Sequence, residues 1–233
     1  MNWMHFTHND DLDGRSCPIV TYFINEYSLH KGTKIKNIDI SYEVYSSIDQ
    51  SIIDFIDSKK YLDYNVVLIT DMGIKPETAR KIQNVVDYNP QIEFIYLDHH
   101  DTSLYLNKYL WATVLVEDHN EELISATKML YRRFEDQIPY MYREALNEYV
   151  NDVSDYDTYL WKKKNNFTAK KYHDLFGIYG AEDFQQMIID RIIITKKKVL
   201  LQKEDLFVLE IEEKRKQRFI KETEDKLKII KIN

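Results

Sequence analysis

The sequence predicts an α/β protein: a parallel β-sheet flanked by helices, followed by a helical region and a long carboxy-terminal helix. Three observations carry that prediction. Short apolar runs alternate with segments of helical periodicity through the first half of the chain. Two of the runs, Val66-Val-Leu-Ile69 and Glu93-Phe-Ile-Tyr-Leu97, the latter from Phe94 on, are apolar at successive positions, as strands buried on both faces must be. Acids and histidines follow these runs, at the strand ends where open α/β sheets hold their ligands.

Trp3 to Thr7 reads as the first strand, and Asn9 to Gly14 as a polar, acidic loop. Ser16 to Leu29 carries Ile19, Val20, Phe23 and Ile24 at helical spacing. Lys34 to Ile40 reads as a second strand and Ile48 to Ile56 as a second helix. Tyr64 to Thr70 is the third strand and runs straight into Asp71-Met72-Gly73. Lys75 to Tyr88 reads as a helix with Pro76 in its first turn, where a missing N–H is tolerated. The strand ending at Asp98 follows. This βαβαβ rhythm is that of a parallel sheet covered by helices on both faces.

After about Asp118 the pattern turns helical. Glu121 to Phe134 and Tyr140 to Val153 read as amphipathic helices joined through Gln137-Ile-Pro139. Gly177 and Gly180 punctuate a turn before a helical region from Ala181. From Lys196 onward there is no proline or glycine, and charges of both signs are interleaved. That predicts a long, largely exposed helix carrying Lys196-Lys-Lys198, with i,i+4 pairs such as Glu222 with Lys226. Its Ile and Leu residues predict that part of one face packs on something. The expected division is a catalytic domain over 1–180 and a helical linker or tail over 181–233.

Composition narrows the partners. With 32 basic against 39 acidic residues, a formal −7, the chain lacks the basic footprint of a protein that coats duplex nucleic acid. A pocket for a short phosphate substrate remains open to it, because bound metals supply positive charge locally. A single cysteine, Cys17, excludes an intramolecular disulfide and fits a reducing compartment. The amino terminus lacks the regions of a signal peptide, and no run approaches a membrane span. The expectation is a cytoplasmic protein.

Chemistry-bearing residues form four clusters. The first is His8-Asn9-Asp10-Asp11-Leu12-Asp13-Gly14, where Asp11 and Asp13 flank one residue and can address two neighbouring ions. Gly14 there is read as permitting a backbone conformation that other residues resist. The others are Asp71 with Gly73 behind it, Asp98-His99-His100, and Asp152-Val-Ser-Asp155-Tyr-Asp157. Each has a bland reading: Asp71 as a helix cap, Asp155 and Asp157 as exposed turn residues. Asn9-x-Asp11-x-Asp13-Gly14 also matches the opening of an EF-hand loop, but Val20 stands where the closing glutamate belongs. Three clusters ending adjacent strands of one sheet outweigh these readings. Carboxylates brought that close repel unless cations neutralise them.

In these motifs and their order the chain resembles the DHH phosphoesterase superfamily, over roughly Trp3 to Trp161. Thr7-His-Asn…Asp11-Leu-Asp-Gly14, Ser125-Ala-Thr127 and Asp155-Tyr-Asp157-Thr158 are most similar to its nanoRNase-like, oligoribonuclease branch. The resemblance implies one metal site from His8, Asp11 and Asp71. It implies a second from Asp13, Asp71, His99 and the fourth-motif aspartate, with Asp71 bridging. Asp155 is preferred to Asp157 because the hydrophobic stretch before it ends there, and Asp10 is a possible substitute for His8. His100 then faces the substrate phosphate.

Two Mn²⁺ ions, replaceable by Mg²⁺ or Co²⁺, suit mixed His and Asp ligands. Such a pair activates water for in-line attack on phosphorus. No covalent nucleophile is needed, so Ser16 and Cys17 read as structural. Lys162, Lys163 and Lys164, with Lys170 and Lys171, offer phosphate contacts, although charge runs are usually solvated faces. Trp111, Tyr156 and Trp161 offer stacking on bases, with core packing as the plainer role.

The expected activity is hydrolysis of short single-stranded oligonucleotides to nucleoside monophosphates. The alternatives are a cyclic-dinucleotide or phosphoadenosine-phosphate hydrolase and a weakly active assembly or regulatory subunit. Most members of that family carry a second, carboxy-terminal domain, often with a glycine-rich signature; the expectation is that it is absent or truncated here, since no glycine follows Gly180. The expectation is therefore a homodimer, a separate subunit bringing that domain, or an open cleft.

Overall fold

Valine, leucine, isoleucine and threonine fill the strand β5 (Val66–Thr70), all five residues of which are buried, so it sits inside the sheet. In the computed structural model its neighbours are β1 (Asn2–His8) and β6 (Glu93–Asp98). The order is completed by β4 (Asn37–Glu43) beyond β1 and β7 (Ala112–Val114) beyond β6, with every pairing parallel. The structure describes residues 1–27, 29–30, 32–196 and 200–230, with side chains for 1–26, 32–196 and 200–226.

Alternation along the strands divides the apolar side chains into two cores. Trp3, Val66, Leu68, Ile95 and Leu97 face one layer of helices: α1 (Leu12–Tyr27), α4 (Ala126–Phe134), α5 (Tyr140–Asp157), α7 (Phe167–Tyr179) and α8 (Ala181–Thr195). Phe6, Val67, Ile69, Phe94 and Tyr96 face α2 (Ile48–Asp57) and α3 (Pro76–Tyr88) on the other side. A two-stranded antiparallel hairpin, β2 (Leu29–His30) with β3 (Thr33–Lys34), joins α1 to β4. The α/β class with helices on both faces stands as expected from the sequence.

Element ends differ from expectation where side chains cap the backbone. Helix α1 begins at Leu12 rather than Ser16, because Asp11 Oδ1 accepts from the Gly14 N–H (2.9 Å) and caps the helix. Gly14 does not adopt a left-handed conformation. Its role is close approach: a Cβ there would lie 2.4 Å from His8 Cβ and 2.5 Å from the His8 carbonyl oxygen. Pro18 cannot bond back to the Gly14 carbonyl, which instead accepts from the Thr7 hydroxyl (2.7 Å).

The second strand runs over 37–43, three residues later than expected, held in register against β1. Helix α4 starts at Ala126, since the 117–123 segment forms an antiparallel bridge and the Ser125 side chain accepts from the Lys128 N–H (3.3 Å). Gly177 lies inside α7, and Gly180 alone makes the break.

The carboxy-terminal region is a helical stretch followed by a long helix, as expected, with the second helix starting at Lys203 rather than Lys196. Lys196 closes α8 in a left-handed conformation, and α9 (Lys203–Ile230) follows. The two are pinned by Arg191, which donates to the fully buried Asp205 at 2.6 and 2.9 Å. Helix α8 buries Phe184, Ile188 and Ile192 in the same core as Trp3. Lys197 and Lys198 lie outside the described residues.

Candidate metal centre

The carboxyl ends of β1, β5 and β6 place His8, Asp71 and His99 side by side, and the start of α1 and end of α5 close the group. Asp71 leaves β5 with a left-handed backbone (φ 59°), which Asp tolerates better than most residues. Its Oδ1 lies 3.2 Å from His99 Nε2, and its Oδ2 lies 4.0 Å from His8 Nδ1. His8 Nδ1 is also 2.8 Å from Asp11 Oδ2. His99 Nε2 lies 3.9 Å from Asp13 Oδ2 and 3.5 Å from Asp157 Oδ2. Three sets of potential ligands have their donor atoms within 4.8 Å of one another: His8–Asp11–Asp71, Asp13–His99–Asp157 and Asp71–Asp98–His99–His100; in the third, Asp98 and His100 are already paired with each other (2.7 Å). Asp71 stands between the first two.

The groups around this cluster hold it in shape. Asp13 accepts from the Ala126 and Thr127 N–H groups (2.8 and 3.1 Å), so the unpaired amides at the start of α4 anchor its carboxylate. Arg15 bonds the Asn9 carbonyl (2.9 Å) and side chain (2.6 Å) and lies 3.8 Å over the Tyr42 ring, fixing the loop before Asp11. Fully buried Asp98 accepts from Tyr96 Oη (2.9 Å) and His100 Nδ1 (2.7 Å). That pair orients His100, whose Nε2 is 3.4 Å from Tyr45 Oη.

Electrostatics separates these roles. Burial, and then the charges of Asp13, Asp11 and Asp157, push the Asp71 carboxyl far above the usual range. Burial, then Asp13 and Asp11, push Asp157 up to about 8. Burial also raises Asp98, but the hydrogen bonds from His100, Ser103 and Tyr96 outweigh it and leave the carboxyl below its ordinary value. The Asp98 hydrogen bond raises His100, whereas burial lowers His99.

The fit to metal ions follows from unpaired atoms. Asp71 Oδ2, His99 Nε2 and Asp157 Oδ2 are buried and make no hydrogen bond. Leaving ionised oxygens so is costly unless a cation takes the place of the missing donors. Imidazole nitrogens mixed with carboxylate oxygens suit a divalent transition metal. The residues therefore fit a metal pair.

Of the residues singled out in the sequence, His8, Asp11, Asp13, Asp71 and His99 come together, and His100 stands beside them. Asp155 does not. Helix α5 continues through Asp157, which turns Asp155 toward Lys164 (2.9 Å) and Asn166 (2.9 Å). Asp157 reaches the cluster in its place. Two residues apart on a helix is about 200° of rotation, so only one of the two can face the site. The preference for Asp155 treated the helix as ending there; a helical projection carried to Asp157 would have found the other choice.

Asp10 is exposed and accepts only from Asn9 Nδ2 among the described contacts, leaving His8 as the histidine of this loop. Lys162 lies over the Trp161 ring (5.4 Å) and Lys163 is exposed. No described contact ties either to the cluster. Trp111 is buried and bonded to Gln83, a core residue. Tyr156 stacks between His173 (4.2 Å) and Trp161 (6.1 Å). Ser16 and Cys17 are buried, bonded to Tyr149 (2.7 Å) and Thr127 (3.3 Å), and burial raises the Cys17 thiol. Tyr45 was not singled out, and an exposed tyrosine in a turn carries no sequence signal.

Oligoribonuclease NrnB of Bacillus subtilis (strain 168) is 28% identical over 189 residues, 81% of this chain and 45% of that protein. The chain has a DHH/nanoRNase-like relative. The resemblance read from the sequence is thereby supported, although the chain spans less than half the length of this curated relative. No family model matches. A crystal structure of an uncharacterized protein from Helicobacter pylori G27 aligns with a TM-score of 0.60, covering 84% of this chain and 58% of that one at 16% identity. At that identity the likeness is one of fold.

Proposed function

We propose that the chain is a metal-dependent phosphodiesterase that hydrolyses short single-stranded oligonucleotides to nucleoside monophosphates. The observation that carries the proposal is the set of buried, unbonded atoms on Asp71, His99 and Asp157, drawn from two strand ends and a helix end. The oligoribonuclease name of the relative supports the substrate class. His8, Asp11 and Asp71 would hold one ion, and Asp13, His99, Asp157 and Asp71 the other, with manganese as the metal. When bound, such ions polarise the phosphoryl group and make water nucleophilic at neutral pH.

The chain's own residues supply orientation and charge. Asp98 fixes the His100 ring so that Nε2 faces outward as a donor toward phosphoryl oxygens. In the overall reaction a water oxygen bonds to phosphorus, the bond to the leaving ribose oxygen breaks, and that oxygen gains a proton. Exposed Lys162 and Lys163, on α6 (Leu160–Lys164) just beyond Asp157, are assigned to the substrate strand outside the cluster. The clustering of unpaired acids favours an enzyme over a purely regulatory subunit, which has no use for their repulsion. We place the protein in the cytoplasm. Among the described residues no helix is long and apolar enough to cross a membrane.

The test is a substrate panel with added manganese: five-nucleotide RNA, five-nucleotide DNA, cyclic di-AMP, phosphoadenosine phosphate and pyrophosphate. Release of mononucleotides from the RNA, with little turnover of the cyclic compound, is the expected result. Preference for cyclic di-AMP or phosphoadenosine phosphate would move the assignment to those substrates. Inactivity across the panel in metal-loaded protein would overturn the hydrolytic reading of this chain.

A further inference from the structure

Between β4 and α2 the chain makes a turn that is held unusually firmly for a surface segment. The Ser47 and Ile48 N–H groups bond back to the Val44 carbonyl at 2.9 and 3.1 Å. Buried Glu43, the last residue of β4, accepts hydroxyls from Ser41 (2.6 Å), Ser47 (2.6 Å) and Ser51 (2.9 Å). Its carbonyl accepts the Asn9 N–H (2.8 Å), which ties the turn to the loop before Asp11.

This clamped turn presents one aromatic residue, Tyr45, with 53% of its surface exposed. The ring does not lie against the apolar core. It packs on His8, 4.7 Å between centroids, and meets His100 edge-on at 6.2 Å. Its hydroxyl is 3.4 Å from His100 Nε2. Nδ1 of that ring is already engaged by Asp98, so Nε2 is the nitrogen left for substrate. A phosphoryl oxygen that accepts from Nε2 therefore lies within reach of the Tyr45 hydroxyl as well. An unperturbed phenol keeps its proton at neutral pH, so the group can act as a donor.

We propose that Tyr45 is a catalytic residue, its hydroxyl pairing with His100 Nε2 to donate to the same non-bridging oxygen of the scissile phosphate. This rests on the hydrolytic reading above and adds to it a donor from a separate element. The phenol forms no covalent bond and keeps its proton throughout. Its contribution grows as negative charge builds on that oxygen in the transition state, so it acts on kcat more than on KM. The serine clamp holds the backbone that carries Tyr45, and packing on His8 and His100 orients its ring; a donor placed before substrate arrives is an effective one.

The experiment compares wild-type protein and Tyr45→Phe on five-nucleotide RNA with manganese, measuring kcat and KM separately and manganese stoichiometry by calorimetry. The exposed position makes the variant safe for folding. The expected result is a fall in kcat of about tenfold, as for the loss of one neutral hydrogen bond, with KM and bound manganese within about twofold of wild type. An unchanged kcat, or a loss confined to KM, would overturn the proposal. So would a loss of manganese, which would make the tyrosine a support for His8 instead. Wild-type protein that cleaves nothing would sink the hydrolytic reading and this inference together, whereas active wild type matched by Tyr45→Phe would sink this inference alone.

Discussion

Asp155 and Asp157 lie two residues apart near the end of α5, one surrounded by donors and the other by acids. Asp155 accepts from Lys164 and Asn166, both at 2.9 Å. Asp157 faces Asp13 and His99, keeps an unbonded buried oxygen, and is pushed up to about 8. The same contrast separates Asp205, held low by Arg191 against the effect of burial, from Asp71, held high by burial and four neighbouring carboxylates. Asp155 and Asp205 are satisfied by donors of their own and serve the fold. Asp71 and Asp157 each keep an unbonded buried oxygen, which the proposed cations would satisfy.

The most damaging test of that comparison is Asp157→Asn. We expect activity on oligonucleotides to fall by at least about 100-fold, since losing even an outer-shell partner of a metal ligand costs 10–100-fold. The metal-free variant should unfold at a temperature no lower than wild type, because the burial and neighbouring charges that push the Asp157 carboxyl up to about 8 no longer act on an ionisable group. Thermal melts with and without manganese, beside initial rates, would check both. An active Asp157→Asn would erase the distinction between the two acids.

Gly14→Ala is next in size. The added Cβ would meet His8 Cβ at 2.4 Å and the His8 carbonyl at 2.5 Å, and neither can yield without moving β1. Overpacking of this kind costs about 1–3 kcal/mol. Urea denaturation should show the loss, and the displaced His8 should weaken the site it shares with Asp11 and Asp71. Unaltered stability and rate would show that the helix start can shift freely.

Asp155→Ala is expected to lower stability by about 1–2 kcal/mol, as removing one side of a buried hydrogen-bonded pair does. It should leave kcat within about threefold of wild type, the converse of Asp157→Asn. A 100-fold loss of kcat here would restore the sequence-based preference for Asp155 as a ligand.

The smallest effect concerns Asp152, on the same helix. Burial pushes its carboxyl up to about 6 against a hydrogen bond from Asn166, and Asp155 and Glu148 add to the rise. An unfolded Asp titrates near 3.9, so between about pH 4 and pH 6 the folded state holds more proton. Stability therefore falls as pH rises through that interval and then levels. Asp152→Asn removes the dependence and should stabilise by on the order of 1 kcal/mol at pH 7, with no gain near pH 4. Melting temperatures at the two pH values would show it; equal gains at both would contradict the assignment.

Much of this arrangement could be read from residues alone. The apolar runs of β5 and β6 named their own positions because strands buried on both faces admit nothing else. The acids and histidines behind them had no role in a core. What the sequence hid was capping and pairing. Asp11 starts α1 early by taking the Gly14 amide, and Ser125 delays α4; both are local hydrogen bonds that periodicity does not register. Gly14 was understood as a conformational need when it is a spatial one. The choice of Asp155 over Asp157 turned on Lys164 and Asn166, which donate to Asp155 only once α6 and α7 fold back against α5. Tyr45 was invisible because its meaning comes from His8 and His100, more than 30 residues away on either side.

The central claim is that Asp11, Asp13, Asp71 and Asp157, together with His8 and His99, hold divalent cations. Calorimetric titration of metal-free protein with manganese, beside Asp71→Asn, tests it most directly; asparagine is chosen because it tolerates the left-handed backbone at that position. The account predicts two ions bound by wild type and a loss of binding to both sites in the variant. Wild type that binds no manganese, or a variant that binds it as wild type does, would contradict the account.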